Sequence, residues 1–130
     1  MIKSVLITGA NAGLGKESAR QLALQNGIEK IYLGCRNEER AKAAKLDLEE
    51  STGKSIFEIV LIDVTDLNSV RSAVESLNEP VEALILNAGG AGGLKFNDKT
   101  SDGVTQIFAV RSLYRFTIFH HIFQQFTHIR

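Results

Sequence analysis

The chain is poor in the residues that staple, break or anchor proteins. Its 130 residues hold one cysteine, Cys35, which excludes an intramolecular disulfide and a cysteine-based zinc site. One proline, Pro80, excludes a Pro-rich linker, and eleven glycines without a repeat exclude a collagen-like chain. Fifteen basic and fifteen acidic side chains cancel, so the chain as a whole lacks the charge signature of a nucleic-acid or anionic-membrane binder. Long apolar runs are missing too. Val5-Leu6-Ile7 stops at Thr8-Gly9, short of the roughly 7–15 apolar residues of a secretory signal. The aromatic stretch Val104 to Phe126 is broken by Arg111, Arg115, His120 and His121, so it lacks the ~20 uncharged residues of a membrane span. The expectation is a cytoplasmic protein with no membrane span and no nucleic-acid partner.

What is there suits a globular domain. Hydrophobic residues make up 44% and charged residues 23%, ordinary values for a chain that buries a core. Short apolar runs alternate with amphipathic ones over the first 86 residues. Ser4–Thr8 reads as a strand, followed by a helical pattern in which Leu14, Ser18, Ala19, Leu22 and Ala23 share a face, ending near Asn26-Gly27. Lys30–Cys35 reads as a second strand. Asn37 caps a second helix with Glu38 and Glu39 in its first turn, a face of Ala41, Ala44 and Leu48, and a stop at Ser51-Thr52-Gly53. Ile56–Ile62 is a third strand, Asp66–Leu77 a third helix, and Ala83–Leu86 a fourth strand after the turn at Pro80.

Continuous rather than alternating apolar strands, separated by helices, are the pattern of a parallel sheet buried on both faces. The expected fold is α/β: a Rossmann-type doubly wound parallel sheet, incomplete, in strand order 3-2-1-4, with helices on both faces and a C-terminal aromatic helix. Residues 1–103 hold the sheet in this reading, and 104–130 are a divergent helix packed on it or on a partner. With no further strand, Ala83–Leu86 is an apolar sheet edge, a template for aggregation unless something covers it.

The informative motif is Thr8-Gly9-Ala10-Asn11-Ala12-Gly13-Leu14-Gly15, between the first strand and the first helix. Gly9 permits the tight turn, Gly13 offers no Cβ to obstruct a diphosphate, and Gly15 lets the helix pack closely. The helix start then presents unpaired N–H groups and a positive dipole end to phosphate. A P-loop fits poorly. Gly15-Lys16 is followed by Glu17, which has no hydroxyl for Mg²⁺, and Ala10 stands where that motif needs its first glycine.

With Ile7-Thr-Gly-Ala-Asn-Ala-Gly-Leu-Gly-Lys-Glu17 and Tyr32-Leu-Gly-Cys-Arg36, the chain resembles the short-chain dehydrogenase/reductase family over residues 2–110. It looks most like the branch holding retinol dehydrogenases and protochlorophyllide reductases. The resemblance implies a nicotinamide dinucleotide and hydride transfer between it and a carbonyl or alcohol. It places Gly9, Asn11, Gly13, Leu14 and Gly15 at the diphosphate, Asp63 and Val64 at the adenine, and Asn87, Ala88 and Gly89 near the nicotinamide ribose. The family usually has a second Asn before that triplet, and Leu86 stands there. Gly90, Gly92 and Gly93 form a loop without an assigned role.

Charge selects the form of the cofactor. Folds preferring NAD carry an acid about 20 residues beyond the glycines for the ribose 2′-OH. Cys35 occupies that place, with Arg36 directly after it, and a guanidinium binds a 2′-phosphate where a carboxylate repels it. The expected cofactor is NADP.

The family's chemistry uses a Tyr and a Lys four apart on one helix, a Ser, and an Asn in the preceding helix. None is in place. Tyr114 is followed four later by Ile118, there is no lysine after Lys99, and Arg111 stands at the Asn position after Gln106-Ile-Phe-Ala-Val110. Tyr32 and Arg36 are four apart in a strand, which spreads them over about 13 Å. The expectation is a cofactor-binding half that ends before the fifth strand, with no catalytic residues and no activity on its own. The alternative is a non-enzymatic NADP-binding sensor or a dimerisation partner of a full-length relative.

Residues 104–130 carry six of the nine aromatics and all three histidines, with Arg111, Arg115 and Arg130 and no acid or lysine. A helix capped by Ser101 would place Ile107, Val110, Tyr114, Ile118 and Ile122 on one face, and Phe108, Phe116, Phe119 and Phe123 on another. Such a helix is buried or meets a partner, through 104–126 in a homo-oligomer or against a related full-length chain. His120, His121 and His128 lack accompanying acids, so no metal site is expected. Cys35 reads as a packed thiol at a strand end.

Overall fold

The computed structural model describes residues 2–89, 98–105 and 108–127. The loop glycines Gly90, Gly92 and Gly93 lie outside them, as do Gln106, Ile107, His128 and Arg130. The chain divides into two compact units, residues 1–61 with 80–88, and residues 62–79 with 89–130.

The first unit holds the sheet. Strands β1 (Ser4–Thr8), β2 (Lys30–Cys35), β3 (Phe57–Leu61) and β4 (Ala83–Ile85) pair in parallel in the order β3-β2-β1-β4. The observed order is the expected one, and β4 returns to the far side of β1, the reversal that defines a doubly wound sheet. Every residue of β1 is buried. That is why the run carries no polar alternation.

Helices α1 (Gly13–Ala23) and α2 (Glu38–Thr52) pack against the sheet and each other. Alternate strand residues (Val5, Ile7, Ile31, Leu33) meet Ala19 and Ala23 of α1 and Ala41 and Leu48 of α2 in one core cluster. Alanines at these positions let the helix backbones approach the sheet. Asn37 Oδ1 accepts the Arg40 amide at 2.9 Å and caps α2, which ends at Gly53 in the left-handed region, φ +67°. α1 ends at Ala23, three residues before the expected stop, and its inward residues are Gly15, Ala19 and Ala23. Leu14 departs from expectation. It is 80% exposed, because helical rotation sets it about 100° from Gly15.

A polar clamp fixes the entry to β4. Ser4 Oγ donates to the Pro80 carbonyl at 2.8 Å and accepts the Glu82 amide at 3.0 Å. The residues of β4, at one edge of the sheet, remain half-buried.

In the second unit, α3 (Leu67–Glu75) packs on α4 (Tyr114–Thr127). Val70, Val74, Tyr114 and Ile118 are buried. Gln125 Nε2 donates to the Leu77 carbonyl at 3.0 Å, and Arg71 Nε donates to His121 Nε2 at 3.2 Å. The helix opens differently from expectation. Ser101 belongs to a turn in which Gly103 takes φ +81°, and Thr105 does the capping, its Oγ1 accepting the Phe108 amide at 3.2 Å. A π-helical turn, Ala109–Leu113, precedes α4 and contains Arg111. Among the described residues, no helix is long and apolar enough to cross a membrane.

Candidate cofactor site

In an open parallel sheet, ligands bind beyond the carboxyl ends of the strands where the strand order reverses. Here that place lies between β1 and β4, and two loops of the first unit meet there. After β1 the chain turns through Gly9 at φ +68°, with the Gly9 amide donating to the Gly34 carbonyl at 2.8 Å. After β4 comes Asn87, whose Nδ2 donates to the Gly9 carbonyl at 3.3 Å. The Ala88 amide donates to Thr8 Oγ1 at 3.0 Å. The glycine turn and the Asn87-Ala88 segment are therefore one hydrogen-bonded assembly.

The three glycines serve different ends. A Cβ on Gly9 would lie 3.0 Å from the Ala88 Cα, and one on Gly15 only 2.3 Å from the Gly9 carbonyl oxygen and 2.6 Å from Asn87 Nδ2. Gly15 therefore lets α1 pack beneath the turn itself. Gly13 differs: its φ is +55°, and an added Cβ would meet nothing within 4 Å. That open side is where an entering group has room.

The start of α1 is bare. Ala12 at its N-cap supplies no side-chain hydrogen bond, and the first turn holds no acid, whereas α2 and α3 are capped by Asn37 and Asp66. The unpaired amides and positive dipole end of α1 can take an anion. Asn11 is half-buried, and Leu14 is exposed at this end of the helix. Lys16 does not resemble a P-loop lysine, since its Nζ is paired with Asp47 Oδ2 at 2.5 Å. Glu17 hydrogen-bonds to Arg20 and Gln21, and these contacts, Arg20 first, lower its carboxyl to about 2.

Arg36 is exposed directly after β2 and has no acidic partner among the described residues. Its neighbour Cys35 is buried, and burial raises the thiol to about 11, so it is no nucleophile at neutral pH.

Asp63 and Val64 belong to the second unit and are half-buried after β3. Asp63 Oδ1 accepts the Thr65 amide at 2.9 Å and the Thr65 hydroxyl at 2.6 Å, which fixes the carboxylate's orientation. Gly89, also of the second unit, is exposed. The sequence reading gave Thr8 and Ser4 no role. Their signal was visible, since each is a hydroxyl inside an otherwise apolar strand.

Tyr114 is fully buried, with the Arg115 guanidinium 5.9 Å from its ring centre, and Tyr32 is buried in β2. His121 is lowered by desolvation and then by Arg71 and His120. No cluster of three or more His, Cys, Asp or Glu forms a metal site among the described residues.

A glycine turn joined to an Asn-Ala segment at the switch point of a 3-2-1-4 sheet is the arrangement of a Rossmann-type α/β domain. The chain belongs to the short-chain dehydrogenase family, whose pattern it matches over residues 3–128. It is 38% identical over 112 residues to the short chain dehydrogenase rstn4 of Aspergillus nomiae, covering 85% of this chain and 30% of that protein. It is 34% identical over 121 residues to retinol dehydrogenase 12 of Bos taurus, covering 91% of this chain and 37% of that protein. A short-chain dehydrogenase from Sphingobium yanoikuyae, solved in complex with NADPH, superposes with TM-score 0.72 at 25% identity, covering 96% of this chain and 48% of that one. The chain thus spans about a third of the length of these curated relatives.

Proposed function

We propose that this chain is the NADP(H)-binding part of a short-chain dehydrogenase/reductase-type oxidoreductase. The observation carrying the proposal is the joined assembly of Gly9, Gly15 and Asn87 beside an uncapped helix start. The NADPH bound by the Sphingobium relative supports the choice of cofactor.

The residues fit such a group. Gly13, Leu14 and Asn11 would border the diphosphate at the amides of α1, and Arg36 would face the 2′-phosphate. Asp63 and Val64 would receive the adenine, and Asn87, Ala88 and Gly89 would flank the nicotinamide ribose. When bound, the cofactor supplies a hydride donor or acceptor. The chain's own residues bind and orient it. They include no Tyr-Lys pair four apart on a helix to move the accompanying proton, so these residues alone are inactive toward carbonyls in this reading. Residues 1–103 carry the cofactor, and 104–130 form a divergent helix packed on that part or on a partner.

Arg36 sets the preference for NADP. A charge-assisted hydrogen bond of about 1.5–3 kcal/mol corresponds to roughly 10- to 100-fold selectivity. The test is a fluorescence titration of the purified chain with NADPH and with NADH. Saturable NADPH binding that exceeds NADH binding, with the ratio collapsing in Arg36→Ala, is the expected result. Equal binding of the two, or an unchanged ratio in the variant, overturns the preference.

A second reading has its own observation. Phe116, Phe119 and Phe123 of α4 are 77%, 63% and 55% exposed on the side away from buried Tyr114 and Ile118. Such a face supports pairing with another copy or with a full-length relative, and with it a non-enzymatic, NADP-sensing role in the same cytoplasmic setting.

A further inference from the structure

We propose that Asp102 is a positioning residue for the adenine end of the cofactor, acting through the first turn of α3. The inference rests on reading Asp63 and Val64 as the adenine subsite.

An α-helix begins with amides that have no partner in the helix. In α3 two consecutive ones are taken by carboxylates. Asp66 Oδ1 accepts the Asn68 amide at 2.9 Å, as an N-cap residue does. Asp102 Oδ2 accepts the Leu67 amide at 3.0 Å from thirty-five residues further along the chain. The first is local; the second is a tertiary contact within the second unit.

The Asp63 loop is built on that same turn. The Asp63 amide donates to Ser69 Oγ at 2.8 Å, and the Asp66 amide donates to the Asp63 carbonyl at 3.1 Å. Thr65 holds the carboxylate itself. Among the described residues, the hydrogen bonds that orient Asp63 thus come from residues 65–69, and Asp102 anchors the middle of that stretch. The far end of α3 is held separately, by Arg71 on His121 and by the Leu77 carbonyl on Gln125.

Asp102 is placed with care for a surface residue. The Lys99–Thr105 bridge closes its turn, the Thr100 amide donates to the Val104 carbonyl at 2.7 Å, and the Gly103 amide to the Thr100 carbonyl at 3.0 Å. The Asp102 amide itself donates to the hydroxyl of buried Thr100 at 3.2 Å. Gly103, at φ +81°, permits the reversal that aims the carboxylate at α3.

The experiment compares wild type, Asp102→Ala and Asp102→Asn by titration with NADPH and with 2′,5′-ADP, alongside amide hydrogen exchange. Asp102→Ala should weaken both ligands about fivefold, the scale of a lost cap. It should also speed exchange at Asp63, Leu67 and Asn68 while leaving β1 and β2 unchanged. Asp102→Asn keeps an acceptor oxygen and should recover most of the affinity. Unchanged affinity in Asp102→Ala, with a wild type that binds, overturns this inference alone. So does an Asn variant as weak as the Ala variant. A wild type that binds neither ligand overturns the adenine-subsite reading, and the role of Asp102 falls with it.

Discussion

The hydroxyl of Thr8 accepts the backbone amide of Ala88 at 3.0 Å, across eighty residues of sequence. It ties the end of β1 to the segment following β4, at the switch point where the cofactor would lie. Thr8 is fully buried and Ala88 half-buried. Thr8→Val keeps the shape and removes the acceptor. It should cost about 1–3 kcal/mol, the range for stranding a polar group, whereas Thr8→Ser should cost less than half as much. Thermal denaturation of the two variants reads this directly, and equal melting temperatures would refute it.

Gly13 and Gly15 separate backbone strain from collision. Gly15→Ala drives a methyl against the Gly9 carbonyl, which is backbone and has nowhere to go. The expected cost is about 2–3 kcal/mol, with loss of cofactor binding as a consequence of the disturbed turn. Gly13→Ala meets no atom, and its cost is the left-handed φ alone, about 1–2 kcal/mol. A folded Gly13→Ala that no longer binds NADPH would place the diphosphate on the open side of Gly13. One that binds normally would remove it from there.

His121 predicts a pH dependence of known sign. Desolvation first, then Arg71 and His120, lowers its protonation in the folded chain. The unfolded chain, with an ordinary value near 6.5, binds the proton more readily. Stability is therefore full above that value and falls as pH drops through it toward the lower folded value. A protonated imidazole also no longer accepts from Arg71 Nε. Melting temperature measured between pH 7.5 and 5 should fall, and His121→Gln should flatten the part due to this residue. An identical pH profile in the variant would count against it.

The exposed Phe face of α4 predicts association. Replacing Phe116, Phe119 and Phe123 by serine should leave buried Tyr114 and Ile118 in place and keep the chain monomeric at high concentration. The wild type should show concentration-dependent mass by sedimentation. A wild type that is strictly monomeric removes the pairing reading.

Strands β1 and β2 were legible to the residue, because continuous apolar runs bounded by glycine and charge leave few other choices. The cap of α2 at Asn37 was visible for a similar reason, since an Asx side chain satisfies an amide two or three residues ahead. The misreadings involve less local choices. Leu14 has the composition of a core residue and the rotation of an exposed one. Ser101 has the composition of a cap, but the Gly103 turn carries it away and leaves the capping to Thr105.

By itself the sequence determined the alternation of strand and helix, the glycine turn and the two-faced aromatic helix. These follow from periodicity and backbone freedom, which act over a few residues. Only the tertiary structure decided what each polar group is for. Ser4 clamps β4, Thr8 and Asn87 join the two loops of the site, and Asp102 caps a helix thirty-five residues behind it. A buried or terminal amide takes whichever acceptor the fold brings within 3 Å, and chain distance has no part in that choice.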